Sequence, residues 1–108
     1  AVDFARANHR RILTTHYVLT EFLDAFSASD ARSSATAWVH RLQSDPLVTI
    51  IENDAPLWNQ ALQLYNQRPD NHWSLTACTS FITMKQKRLT EALTHDHHFH
   101  QAGFHILF

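Results

Sequence analysis

Short strand-like runs alternate with longer amphipathic segments along this chain, and that order leaves few folds open to it. Arg11-Ile-Leu-Thr14 is a compact strand candidate, and Thr14 or Thr15 can cap a helix beginning at His16. From His16 to Phe26, the residues Val18, Leu19, Phe22, Leu23, Ala25 and Phe26 recur at helical spacing. Ser27 to Asp30 is a polar break that can cap a second helix, in which Ala35, Trp38, Val39 and Leu42 share a face. Asp45-Pro46 ends that helix, because the residue before proline is driven out of the α region. Leu47-Val-Thr-Ile-Ile51 then has the β-branched character of a buried parallel strand.

The second half repeats the alternation. Asn53 or Asp54 caps a helix with Pro56 near its start, and Trp58, Ala61, Leu62 and Tyr65 are expected on its buried face. Gln67 to His72 is a polar loop around Pro69, after which Ser74 caps a helix carrying Leu75, Cys78, Phe81, Ile82 and Met84 toward Lys87. Ala92-Leu-Thr94 is a short strand and His95 to Gln101 a polar turn or one-turn helix. Gly103 resets the chain for a last strand, Phe104 to Phe108. Ala1 to His9 reads as a short helical tail, so the chain is expected to start inside a helix and to be a processed or fragmentary form. Strands and helices in this order predict an α/β layer structure with a mainly parallel sheet and right-handed crossovers.

A length of 108 residues is that of one domain. With 44% apolar and 18% charged residues, the chain has the composition of a folded protein and not of a disordered one. Cys78 is the lone cysteine and has no partner for a disulfide. With no disulfide to explain, a cytoplasmic setting is the default, and because no apolar run approaches the roughly 20 residues that cross a bilayer, a non-membrane protein is expected. A net charge of −1 excludes a broad cationic face, so any binding of nucleic acid must be local. The 9 histidines make the surface more cationic on mild acidification.

Among residues that can carry chemistry, Glu21 stands out. Its spacing from Val18 and Ala25 directs it toward the apolar stripe and away from the solvated side of Thr20 and Asp24. A carboxylate there needs a cation or hydrogen-bond donors, or else sits at the edge of the stripe and reaches water. Asp96 follows the strand Ala92 to Thr94, where the carboxyl ends of parallel strands gather ligands, although on position alone a turn aspartate that caps the helix around Phe99 is the favoured reading. Two converging carboxylates suit a hard divalent ion such as Mg²⁺ or Mn²⁺. His95, His97, His98 and His100 invite a zinc reading, but no spaced Cys or His pair completes such a site, and neighbouring turn residues cannot all face one ion. Solvated histidines fit better, with occasional contact to an RNA phosphate as the minority reading. Lys85, Lys87 and Arg88 sit where cations meet the negative end of a helix dipole, and phosphate binding by them, or by Arg10 and Arg11, is the alternative.

Three segments resemble, in order and spacing, the later motifs of bacterial and archaeal VapC-like PIN domains: Thr14-Thr-His-Tyr-Val-Leu-Thr-Glu-Phe-Leu-Asp24, Asp70-Asn-His-Trp-Ser-Leu-Thr-Ala-Cys-Thr-Ser-Phe81 and Glu91-Ala-Leu-Thr-His-Asp-His-His-Phe-His-Gln-Ala-Gly-Phe104. The resemblance implies a PIN-like three-layer α/β/α fold with a mainly parallel sheet. It also implies an endoribonuclease dependent on Mg²⁺ or Mn²⁺, often the toxin of a toxin and antitoxin pair, and usually dimeric. By that resemblance, Glu21 and Asp96 correspond to metal-holding catalytic acids of the family. Asp24, Asp70, Ser74 and Thr76 are weaker candidates for contacts to the metal ligands or to substrate.

Two departures set limits on that reading. Ser74-Leu-Thr-Ala77 stands where the family reads Ser-Leu-Thr-Asp, as a natural or an engineered change. The family's first strand, with its first aspartate, is expected ahead of Ala1, and Asp3 in the helical tail does not replace it. A site missing two of four carboxylates should hold Mg²⁺ or Mn²⁺ poorly, so weak or no activity is expected. A non-catalytic PIN-like module for binding or oligomerisation is the alternative. Strand edges left unpaired by the missing strand favour a homo-oligomer, with exchange of elements between copies as one route.

Overall fold

Strand β1 (Ile12–Thr15) runs directly into helix α1 (His16–Asp24), and Thr15 makes the junction: it closes the strand in extended backbone while its Oγ1 accepts from the Val18 N–H at 3.2 Å. The computed structural model describes residues 11–92 and 97–106, and the chain divides into two units, Ala1–Asn53 and Asp54–Phe108. The expected tail from Ala1 to His9, and parts of the strands expected over Ala92 to Thr94 and Phe104 to Phe108, lie outside the described residues.

In the first unit, helix α2 (Arg32–Ser44) carries the chain over to strand β2 (Val48–Ile51), which pairs in parallel with β1 from Ile12 opposite Val48 to Thr15 opposite Ile51. Leu19, Val39 and Leu42 form its core, with Phe22, Leu23, Val48 and Ile50 packed against them. Helix α1 ends earlier than the stripe suggested, at Asp24, and of that stripe Leu19 alone is buried. The Ser27 to Asp30 break does not supply a side-chain cap for α2. The Ser29 hydroxyl instead accepts from the Ala31 N–H at 2.9 Å, one residue ahead of the helix, and the Arg32 guanidinium donates to the Ser27 carbonyl at 2.9 Å. Trp38 stays 38% exposed although its ring meets Phe22 at 4.8 Å. Asp45 leaves the helix in extended backbone, as its proline neighbour requires, and its carboxylate accepts from the Leu47 N–H at 2.9 Å. Strand β2 is only half-buried, with Thr49 exposed, short of the full burial expected for it.

The second unit is built on helices α3 (Ala55–Gln67) and α4 (Leu75–Gln86), linked through a 3₁₀ turn at Pro69–Asn71. Asp54 caps α3 by accepting from the Leu57 N–H at 2.8 Å. Strand β3 (Glu91–Ala92), helix α5 (His98–Gln101) and strand β4 (His105–Ile106) come next, and β3 and β4 pair in parallel. Ala61, Trp73, Ala77, Cys78, Phe81, Met84, Ala92 and Phe104 form the core. Phe81 is its centre: its ring meets Trp73 at 4.9 Å and Phe99 at 4.8 Å edge-on, and stacks on Phe104 at 5.7 Å. Thr79 and Thr83 are buried without cost to the polar balance, because each hydroxyl donates to a carbonyl one turn back in α4.

Helix α3 corrects an expectation. Ala61 is fully buried and Leu64 packs on the core, but Trp58 (43%), Leu62 (44%) and Tyr65 (49%) are exposed. The helix meets α4 along the Ala61 line, and Trp58, Leu62 and Tyr65 stand off that line.

Candidate functional site

Glu21 is exposed, so of its two readings the carboxylate that reaches water holds and the one turned into the apolar stripe does not. The packed line of α1 is Leu19, Phe22 and Leu23, and a residue two places from Leu19 is carried about 200° around a 3.6-residue helix, away from that line. Among the described residues, no hydrogen bond or ion pair holds its carboxylate. Asp24, at the last position of α1, is exposed as well, and its carbonyl accepts from the Ser27 N–H at 3.1 Å.

The other expected residues cluster at the start of α4. Asp70 is exposed in the 3₁₀ turn. Ser74 is the N-cap of α4, and its hydroxyl is committed to the Ala77 N–H at 3.0 Å. Thr76 is half-buried, and its carbonyl accepts from the Thr79 hydroxyl. Ala77, the position where the resemblance implies an aspartate, is 6% exposed and belongs to the core of the second unit. A carboxylate at that position would lie in the first turn of the helix, where the dipole favours negative charge, yet within a packed surface that penalises it.

Asp96 and His95 lie outside the described residues. Of the acids that the resemblance assigns to the metal, the described residues therefore contribute the Glu21 carboxylate, while Ala77 offers no oxygen. Among the described residues, no group of three or more His, Cys, Asp or Glu side chains could hold a metal ion. The donors among the described residues do not by themselves make an oxygen cage for Mg²⁺ or Mn²⁺. The rings of His97 and His98 meet at 4.3 Å, too few ligands for the zinc reading among the described residues. Cys78 is fully buried, and desolvation pushes its thiol above the ordinary value of 9.0.

Sequence reasoning missed two features. Exposure of Trp58, Leu62 and Tyr65 was hidden because an apolar stripe does not say which half of it finds a neighbour; the one available signal was the absence of any charged residue in α3. Arg88 and His72 both adopt left-handed backbone at φ 56°, which no residue-type signal announced for an arginine.

No protein-family model matches the chain, and no curated protein matches it significantly. Among solved structures, the chain is similar to VapC20 of Mycobacterium tuberculosis, a toxin that cleaves the sarcin-ricin loop. The TM-score is 0.81 at 23% identity, over 94% of this chain and 78% of that one. At that identity the likeness speaks to fold: a mixed α/β arrangement with parallel strands, as in VapC-type PIN domains.

Proposed function

We propose, for a chain that has the PIN fold of a VapC toxin, that it is a single PIN-like domain of the toxin-ribonuclease kind with an incomplete metal cage. The observation that carries this reading is the likeness to VapC20 over 94% of the chain, joined to the three motifs found in the expected order. Glu21 and Asp96 are the proposed catalytic acids and ligands of Mg²⁺ or Mn²⁺, with Asp24, Asp70, Ser74 and Thr76 contributing at most contacts to ligands or RNA. An ion held by these residues would supply an activated water and offset charge on the cleaved phosphodiester. RNA is the proposed substrate class, an antitoxin the proposed protein partner, and the cytoplasm the proposed location. No described helix is long and apolar enough to cross a membrane.

A homo-oligomer is proposed on the exposed Trp58, Leu62 and Tyr65 stripe, because α3 contains no charged residue that would oppose a second copy. Light scattering over a dilution series checks this, with Leu62→Glu expected to give monomers.

One observation favours the alternative, a non-catalytic PIN-like module: Ala77 is packed into the core, where the fold gains nothing from a carboxylate. Cleavage of RNA with Mn²⁺ separates the two. Ala77→Asp should cleave about 10–100-fold faster than the chain as it stands, the scale on which disturbing a metal site acts. An Ala77→Asp protein that folds and binds RNA, but cleaves no faster even when the family's first strand and its aspartate are restored, supports the module and ends the enzyme reading.

A further inference from the structure

Helices α4 and α5 end in the same hydrogen-bonding motif with different residues at its centre. After α5, the Phe104 N–H donates to the Phe99 carbonyl at 2.9 Å and the Gly103 N–H to the His100 carbonyl at 3.0 Å, around Gly103 at φ 96°. After α4, the Leu89 N–H donates to the Met84 carbonyl at 2.8 Å and the Arg88 N–H to the Lys85 carbonyl at 3.2 Å, around Arg88 at φ 56°. Both are Schellman caps, whose central residue is left-handed and usually glycine, since a Cβ is strained there. At Gly103 the chain uses the residue the backbone favours. At Arg88 it keeps a long cationic side chain against that preference, and such a strained position points to a use outside the fold.

The surroundings of Arg88 indicate the use. Lys85 and Lys87 are the only lysines of the chain, and with Arg88 they gather local positive charge on a protein whose net charge is −1. All three are exposed, and among the described residues none is ion-paired to a carboxylate. The nearest acidic residue in sequence is Glu91, which has an interaction of its own. The helix dipole accounts for cations at a C-terminus, but not for an arginine in left-handed backbone. The base beneath them is firm: Thr83 and Met84 are buried, and the Gln86 side chain donates to the Gln60 side chain of α3 at 2.8 Å.

We propose that the Lys85, Lys87 and Arg88 cap is a docking site for the phosphodiester backbone of RNA. The left-handed turn presents the Arg88 guanidinium, whose planar fork matches a phosphate, and the lysines add point charges beside it. Contacts of this kind set the position of the strand and carry no sequence information. The proposal rests on the ribonuclease reading above.

Fluorescence anisotropy with a labelled RNA hairpin, at NaCl from about 50 to 200 mM, tests it alongside thermal melting of the full chain. Arg88→Gly should melt at an equal or higher temperature, because glycine relieves the strain, yet bind RNA more weakly. Its plot of log affinity against log salt should flatten by about 0.7–0.9, the share of one phosphate contact. Lys85→Gln with Lys87→Gln should flatten it by about twice as much. Should Arg88→Gly fail to fold, Arg88→Asn supplies the same readout, since asparagine tolerates left-handed backbone. Variants that bind with unchanged affinity and slope overturn the docking site and leave the ribonuclease reading standing. A wild-type chain that binds no RNA at any of these salt concentrations overturns both.

Discussion

Helices α1 and α4 both start from a hydroxyl cap, Thr15 at 3.2 Å and Ser74 at 3.0 Å from the amides they hold, and they part ways from there. Along α1 the buried residue is Leu19, whereas α4 buries Ala77, Cys78, Thr79, Phe81, Thr83 and Met84. These helices carry the two acidic positions that the PIN resemblance assigns within the described residues, and their environments are opposite. At position 21 a carboxylate rests in water and asks nothing of the fold. At position 77, with 6% exposure, a carboxylate would need a cation to offset its burial, and alanine removes that need. On the proposed reading, the loss of a metal ligand and the relief of a buried charge are one substitution.

The largest effect expected from this contrast is in the cores themselves. Phe81→Ala on α4 should cost about 3–5 kcal/mol, and Leu19→Ala on the thinner α1 side about 2 kcal/mol, by chemical denaturation. A larger loss at Leu19 than at Phe81 would reverse the ranking of the two helices. Next comes the buried position: with a chelator present, Ala77→Asp should destabilise by about 1–3 kcal/mol, and Mn²⁺ should return part of it.

The buried thiol gives a smaller, pH-dependent effect. Its folded pKa is raised, so the unfolded chain loses the proton first as pH climbs. Stability is then unaffected by this group below its ordinary value of 9.0, and falls above it. The slope approaches, at most, about 1.4 kcal/mol per pH unit, and Cys78→Ala should abolish that portion of the decline. Smallest of all, Glu21→Gln should change stability by no more than about 0.5 kcal/mol in the absence of metal. A clear loss there would mean that Glu21 has a structural partner.

Most caps and breaks were legible in the sequence, although Ser27 to Asp30 supplies no side-chain cap for α2. Asp54, Ser74, the Asp45-Pro46 stop and Gly103 act through atoms a few residues away, so local chemistry decides them. Faces were less legible, because burial is chosen by distant partners. The broad apolar stripe of α1 could have packed on several lines, and Val39, Leu42 and Ile50 selected the one that leaves Glu21 outside. The stripe of α3 is wider than the contact it makes, which turned Trp58, Leu62 and Tyr65 outward. The left-handed Arg88 could not be read at all, since only glycine and a few short polar residues signal that backbone in advance. For the site, the motif order brought the fold into view and Ala77 was recognised as a departure, while the role of Asp96 is carried by resemblance.

The most direct test of the account is calorimetric titration of Mn²⁺ into the chain and into Ala77→Asp, each with and without Glu21→Gln. Tighter binding by Ala77→Asp, by about 10–100-fold, with most of the gain lost when Glu21→Gln is added, is the predicted result. Equal affinity in all four proteins would contradict the proposal, drawn from the resemblance, that Glu21 and an aspartate at position 77 are ligands of a metal ion.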